Sequence, residues 1–313
     1  MKFKAKTLLA KIETGYGTDA SPVGSNGIQT KNLSIQPYQG QTITRDLDRE
    51  TLGAQAQINV NPYVEVTFDV ELAGSGTAGT APAYGPLLRA CGFSETIAAG
   101  ATVTYRPKSD SFESVTLHYL QRNDAGGFQC QKIAGCRGTV AFTVDRAGIP
   151  VMQFKFMGFY LRPTDIATIV VNRSAFIDPV YVSKQNTTLT IGAYAARASA
   201  FSVDLANNVV PRMVTGYQSI EITDRSPSGS ITVDAPALAT KNFFQSVESH
   251  NGVTLEAVSL VHGTLAGNIV EIKGPKVQLN SIAPSDSDGE LAYQIGLTFT
   301  PSAGNDEVEI VVK

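Results

Sequence analysis

Val64-Glu65-Val66-Thr67-Phe68-Asp69-Val70-Glu71-Leu72 alternates without a break between apolar and polar residues. Period two puts Val64, Val66, Phe68, Val70 and Leu72 on one face and Glu65, Thr67, Asp69 and Glu71 on the other. That is the pattern of a half-buried strand in an antiparallel sheet. A one-residue slip would drive three carboxylates into the core, so the pairing is strongly specified. The strand runs through a Gly/Ala-rich bend into a short helical segment, Tyr84-Gly-Pro-Leu-Leu-Arg-Ala-Cys91-Gly92. Some 165 positions on, Ser230-Ile-Thr-Val-Asp-Ala235 passes through Pro236 into a predicted helix over 239–250, with a glycine again at 252. The Thr-apolar-Asp core lies in the same frame both times. A unit written twice points to a symmetric assembly before it points to a catalytic site.

Further short strands separated by Gly, Pro and Asn turns are predicted over 102–106, 114–120, 128–133, 139–145 and 151–157. The second half repeats the order at 201–205, 219–223, 253–262, 269–273, 277–282 and 291–300. The ends of the halves match best. Ile133-Ala-Gly-Cys-Arg-Gly aligns with Ile272-Lys-Gly-Pro-Lys, Met152-Gln-Phe with Tyr293-Gln-Ile, and His118 with His262 before a hairpin. Residues 1–50 read as an extended arm or long loop with one short strand, Asn32-Leu-Ser-Ile-Gln. The expected class is therefore mainly β (α+β): two tandem β-sandwich or barrel domains, each with one flanking short helix. Their expected bounds are 1–170, including the N-terminal arm, and 171–313, with the join near 160–180.

Composition narrows the function. The formal net charge is −3 with 17 % charged residues and no basic block, which argues against a nucleic-acid reader needing clustered Lys/Arg. The apolar run within Met1–Lys11 is too short for a secretory segment, and no stretch approaches the ~20 apolar residues of a membrane span. Synthesis in the cytoplasm without membrane insertion is the expectation. Cys91, Cys130 and Cys136 form no CxxC; Cys130 and Cys136 could meet across a hairpin, but buried thiols are the favoured reading. Histidines 118, 250 and 262 lack metal-type spacing, and no nucleophile, zinc or phosphate-loop motif occurs. Gly74-Ser-Gly76-Thr-Ala-Gly79 spells GxGxxG after a strand. That strand alternates, prolines follow, and the second copy lacks the glycines, so a flexible loop outweighs a dinucleotide site. No enzyme activity, cofactor or metal is expected.

The first half resembles the major tail tube proteins of long-tailed bacteriophages. The likeness is carried by Lys11-Ile-Glu-Thr-Gly-Tyr-Gly-Thr-Asp-Ala-Ser-Pro22, Tyr84–Phe93, Tyr105-Arg-Pro-Lys-Ser-Asp-Ser-Phe-Glu-Ser-Val-Thr-Leu117, Ala134-Gly-Cys-Arg-Gly-Thr-Val-Ala-Phe142 and the strand ending Phe156-Met-Gly. It covers most of residues 1–160 and is weaker beyond. The resemblance implies homo-oligomeric rings that stack into a hollow tube in the virion tail. Through it the tape-measure protein and then the genome pass without specific binding, and tail terminator and tail-tip proteins cap it. Assembly would occur in the bacterial host cytoplasm. Two domains per chain imply a trimeric ring with pseudo-six-fold symmetry; a true hexamer with the second domain outside is the alternative. On this reading Glu65, Asp69, Glu71 and Asp234 are candidate lumen-facing acids, and Gly74, Gly76 and Gly79 a candidate inter-ring loop. The competing class is a receptor- or carbohydrate-binding β-sandwich module.

Overall fold

The alternating stretch is the end of a long strand whose apolar face is buried and whose polar face is not. In the computed structural model, which describes residues 2–313, 54 % of residues lie in strands and 4 % in helices. The first half contains β1 (Lys6–Ile12), β2 (Gly27–Ile28), β3 (Lys31–Thr44), β4 (Gln57–Glu71), α1 (Gly85–Ala90), β5 (Phe93–Ala98), β6 (Thr102–Pro107), β7 (Val115–Arg122), β8 (Phe128–Asp145), β9 (Val151–Tyr160) and β10 (Thr164–Ile166). The second contains β11 (Thr187–Ile191), β12 (Tyr194–Ala196), β13 (Ala198–Asp204), β14 (Asn207–Val214), β15 (Tyr217–Arg225), β16 (Ser228–Asp234), α2 (Phe243–Val247), β17 (Leu255–His262), β18 (Val270–Ser287), β19 (Glu290–Thr300) and β20 (Glu309–Val312).

The same pairing order occurs twice. In the first half β1 pairs with β7, β7 with the start of β8, the end of β8 with β9, β9 with β4 and β4 with β3. In the second, β11 pairs with β17, β17 with the start of β18, the rest of β18 with β19, β19 with β16 and β16 with β13. The 18-residue strands β8 and β18 thus serve both layers of a sandwich, each turning at a register shift, between Ala134 and Arg137 and between Leu279 and Ser281. Gly138 follows the first shift, where a Cβ would stand 2.4 Å from the Lys155 carbonyl oxygen.

Two ladders join the halves. The end of β8 pairs with β13, from Ala141–Asp204 to Asp145–Ala200. The C-terminal strand β20 lies between β18 and β6. One connected apolar core runs through both, from Val64, Phe68 and Phe154 to Ile231, Val258 and Ile295. Phe68, Phe154 and Phe156 form a mutually contacting aromatic cluster, with Phe68 at centroid distances of 5.5 and 5.9 Å from the other two.

Several expectations need correction. Residues 6–12 are no arm but the core strand β1, with Leu8 in the main core and Leu9 in a second cluster covered by Ile166, Ile169 and Val171. A strand covered on both faces carries no alternation to read. The short strand expected at 32–36 is the start of a 14-residue strand. The helix expected over 239–250 spans only Phe243–Val247; the Asn242 side chain accepts from Gln245 N at 3.2 Å, and Glu248 leaves in extended geometry. Register pairs Val66 with Phe156 and Ile231 with Ile295, so Phe154-Lys155-Phe156 corresponds to Tyr293-Gln294-Ile295. The sequence match starting at Met152 was two residues out, a slip that keeps every side chain on its face and so leaves the alternation intact. His118 and His262 lie on opposite strand faces: His118 points away from the main core with Leu120, His262 toward it with Val258 and Leu260. All three cysteines are buried and free, with Cys130 and Cys136 on the same strand.

Candidate assembly surface

Eight strands form one continuous antiparallel run, β3-β4-β9-β8-β13-β16-β19-β18. Directly opposed residues share a face, so the registers trace the polar face from end to end. Ser34, Thr67, Lys155 and Thr139 form one row. Thr143, Ser202, Ser230 and Gly296 form another, with Ser202 and Ser230 hydroxyls 3.0 Å apart. The surface is mainly hydroxyl, amide and small residues.

Glu65, Asp69, Glu71 and Asp234 all project from it, but not as a bare acidic stripe. Lys155 lies 3.6 Å from Glu65, and the Lys31 ammonium donates to Glu71 at 3.2 Å. The Asn32 amide donates to Asp69 at 2.7 Å. The partner lysines stand on neighbouring strands, so reading β4 alone could not reveal the neutralisation. Arg146, in the turn after β8, donates to Asp288 in the turn after β18 at 2.5 Å; this contact lowers the Asp288 carboxyl and raises the Arg146 guanidinium.

Gly74, Gly76 and Gly79 lie elsewhere, in a clasp within the chain. Gly76 N donates to the Gly267 carbonyl at 2.9 Å and Gly74 N to the Asn268 side chain at 2.9 Å. A Cβ on Gly74 would stand 2.0 Å from Gly267 O. Close backbone approach between the halves explains the glycine at 74, and a positive φ of 85° the glycine at 76; neither is arranged around a phosphate. Gly79, at positive φ, packs on the Ala98–Ala101 turn.

Both ends of the eight-strand run are open. Among the described residues, the outer edge of β3 is unpaired, as is the edge of β18 beyond Gln278 that faces away from β19. These are the same two edges that meet inside the chain. β13 pairs with β16 as β3 pairs with β4, and the end of β8 pairs with β9 as β18 pairs with β19. Beside the internal joint, the β14–β15 hairpin crosses β8 and β9. The Tyr16 hydroxyl accepts from Ile220 N at 2.6 Å and donates to Ile220 O at 3.3 Å; burial pushes its ionisation up to about 12. Arg137 donates to Ile220 O, Glu221 and Phe112 O, each at 2.9 Å, with its guanidinium 4.6 Å from the Tyr16 ring centroid. Sequence reasoning passed over Tyr16 and Arg137, because the Ile220 and Glu221 groups they hold lie in the other half of the chain.

Residues 4–302 match the family of phage tail tube proteins. The chain belongs to the phage tail tube protein family. No curated protein matches it. Family membership carries a structural role in a homo-oligomeric tube of the virion tail. No helix among the described residues is long and apolar enough to cross a membrane, and no group of three or more His, Cys, Asp or Glu among them is placed to hold a metal.

Proposed function

We propose that this tail tube protein polymerises into stacked rings of three chains, each supplying two of six equivalent places, with the polar sheet face lining a channel for the genome. The observation that carries this is the β8·β13 ladder, a sheet-edge joint between two similarly built units of one chain. Repeating that joint between the open β18 edge of one chain and the β3 edge of the next closes a barrel and removes both free edges of the eight-strand run. Three chains make about 24 strands; at about 4.8 Å per strand the circumference corresponds to a diameter near 37 Å before tilt. Six chains in one barrel would double that. A hexamer with the second half outside fits poorly with β13 continuing the sheet of β8. Two domains meeting near residues 160–180 belong to the same proposal, although β20 ties the second back to β6.

A hydroxyl- and amide-rich lining with lysine-neutralised glutamates offers phosphates few fixed cations, so DNA passes without sticking. The same channel would hold the tape-measure protein first, with the terminator and tip proteins on the end rings. Assembly in the host cytoplasm and an absence of enzymatic chemistry follow from this structural role. Negative-stain microscopy of the purified chain tests the proposal. Rings or tubes with three-fold class averages support it; discrete monomers at every concentration sink it, and a six-fold average with twice the mass sinks the stoichiometry.

A further inference from the structure

The two β3-type strands each lead into a hairpin, and only one hairpin has a partner. After β13 the chain forms β14–β15, whose apolar cross-strand pairs Val209–Ile222 and Pro211–Ile220 sit against the first half, with Ile220 fully buried. After the part of β3 that pairs with the core of β4, residues 39–63 form the other hairpin. Its register places Ile43 opposite Ile58 and Gln41 opposite Val60 on one face, with Thr42, Asn59, Thr44 and Gln57 on the other. Yet Ile43 and Ile58 are 52 % and 49 % exposed. A two-stranded ribbon with a bare apolar face is marginal in water on its own.

The internal joint shows where such a hairpin goes. β14–β15 crosses β8 and β9 of the preceding unit, and its tip, Met213–Gln218, lines one groove with Tyr160, Asn61 and Pro62 at the base of β4. Beside it, Phe112 at the entry to β7 and Ile222 of β15 both pack close to Gly92 at the end of α1. The corresponding surface of the second half, formed by β18, α2 and the entry to β17, is uncovered. There Phe244, Val253 and Leu255 are exposed, and β18 is open around Asn280–Pro284.

We infer that the 39–63 hairpin of one chain docks, through Ile43, Ile58 and Val60, across β18 and α2 of the neighbouring copy in the same ring. The inference rests on the ring proposal and adds to it a second, apolar contact alongside the sheet ladder. The occupant is a second copy because the chain already seats the equivalent hairpin on its own first half. One element differs: Ser281 stands on β18 where Arg137 stands on β8, opposite corresponding positions of β19 and β9. The contact between copies thus lacks the arginine clamp and is weaker than the one within the chain, as suits a joint made only on assembly.

The test replaces Ile58 with the photo-crosslinker p-benzoylphenylalanine in rings assembled from mixed 15N-labelled and unlabelled chains, with adducts mapped by mass spectrometry. Adducts of mixed isotope to residues 243–255 or 278–284 are expected. Adducts within one chain, or to any other surface such as that of a stacked ring, overturn the docking while leaving the ring intact. If the unmodified chain forms no rings, the ring proposal falls and the docking with it. As a second measurement, Ile43→Asp/Ile58→Asp should leave the monomer's melting temperature unchanged and raise the concentration needed for ring formation at least tenfold. Rings at an unchanged concentration would also overturn it.

Discussion

The two hairpins of this chain share a place in the pairing order and differ in what covers them. In β14–β15, Ile220 is buried against Tyr16 and Arg137, and its backbone N–H and C=O both end on side chains of the other half. In the 39–63 hairpin the equivalent isoleucines face solvent, and the tip is held only locally, by the Gln55 side chain accepting from and donating to the Leu47 backbone at 3.0 and 2.6 Å. Buried apolar area contributes to stability only where a partner excludes water. One hairpin therefore stabilises the folded chain, and the other is available to stabilise the assembly.

The largest way to sharpen that contrast is Ile220→Ala against Ile58→Ala. Truncating a fully buried isoleucine should cost about 2–5 kcal/mol in urea unfolding. The exposed position should change monomer stability by less than about 0.5 kcal/mol. Equal losses at both sites would break the comparison.

Next comes Arg137→Met, which keeps the aliphatic volume but strips the Ile220, Glu221 and Phe112 contacts. Loss of the charged hydrogen bonds predicts about 2–3 kcal/mol and faster proteolysis within 207–225. Tyr16→Phe leaves the Ile220 N–H without its acceptor and should cost about 1–2 kcal/mol by the same measurement.

The smallest expected effect is pH dependence. Burial holds the His118 imidazole below its ordinary 6.5, opposed by the Asp19 carboxylate 2.9 Å away; burial lowers His262 as well, against its contact with Val180 O. Both groups are thus kept neutral by folding. The unfolded chain binds more protons between the folded values and 6.5, so their contribution is complete above about 6.5 and lost as pH falls through the folded values. The melting temperature should fall between pH 7.5 and 5, and His262→Gln should flatten the slope. A slope unchanged in that variant would remove His262 from the account.

Much of the eight-strand run was legible because its strands have one wet face. Val64–Leu72 and Ser230–Ala235 announce both their structure and their orientation. β1 was not legible, since Leu8 and Leu9 are buried on opposite faces, nor was β20, whose Glu309–Val312 run is too short to show a period. The hairpins also escaped notice. Asn207 and Asn208 resemble turn residues but begin β14, and the actual turn is at Thr215-Gly216, with Gly216 at positive φ.

The sequence by itself determined that this chain is mainly β, that one strand-and-helix unit occurs twice, and which face of each repeated strand is polar. Those properties reside in periods of two and in local turn chemistry, readable a few residues at a time. Only the tertiary structure decided that the two units share one sheet and one core, that Lys31 and Lys155 neutralise Glu71 and Glu65, and that one hairpin is seated while its counterpart is bare. Each of these depends on groups tens to hundreds of residues apart, where register and crossing, not local pattern, set which side chains meet.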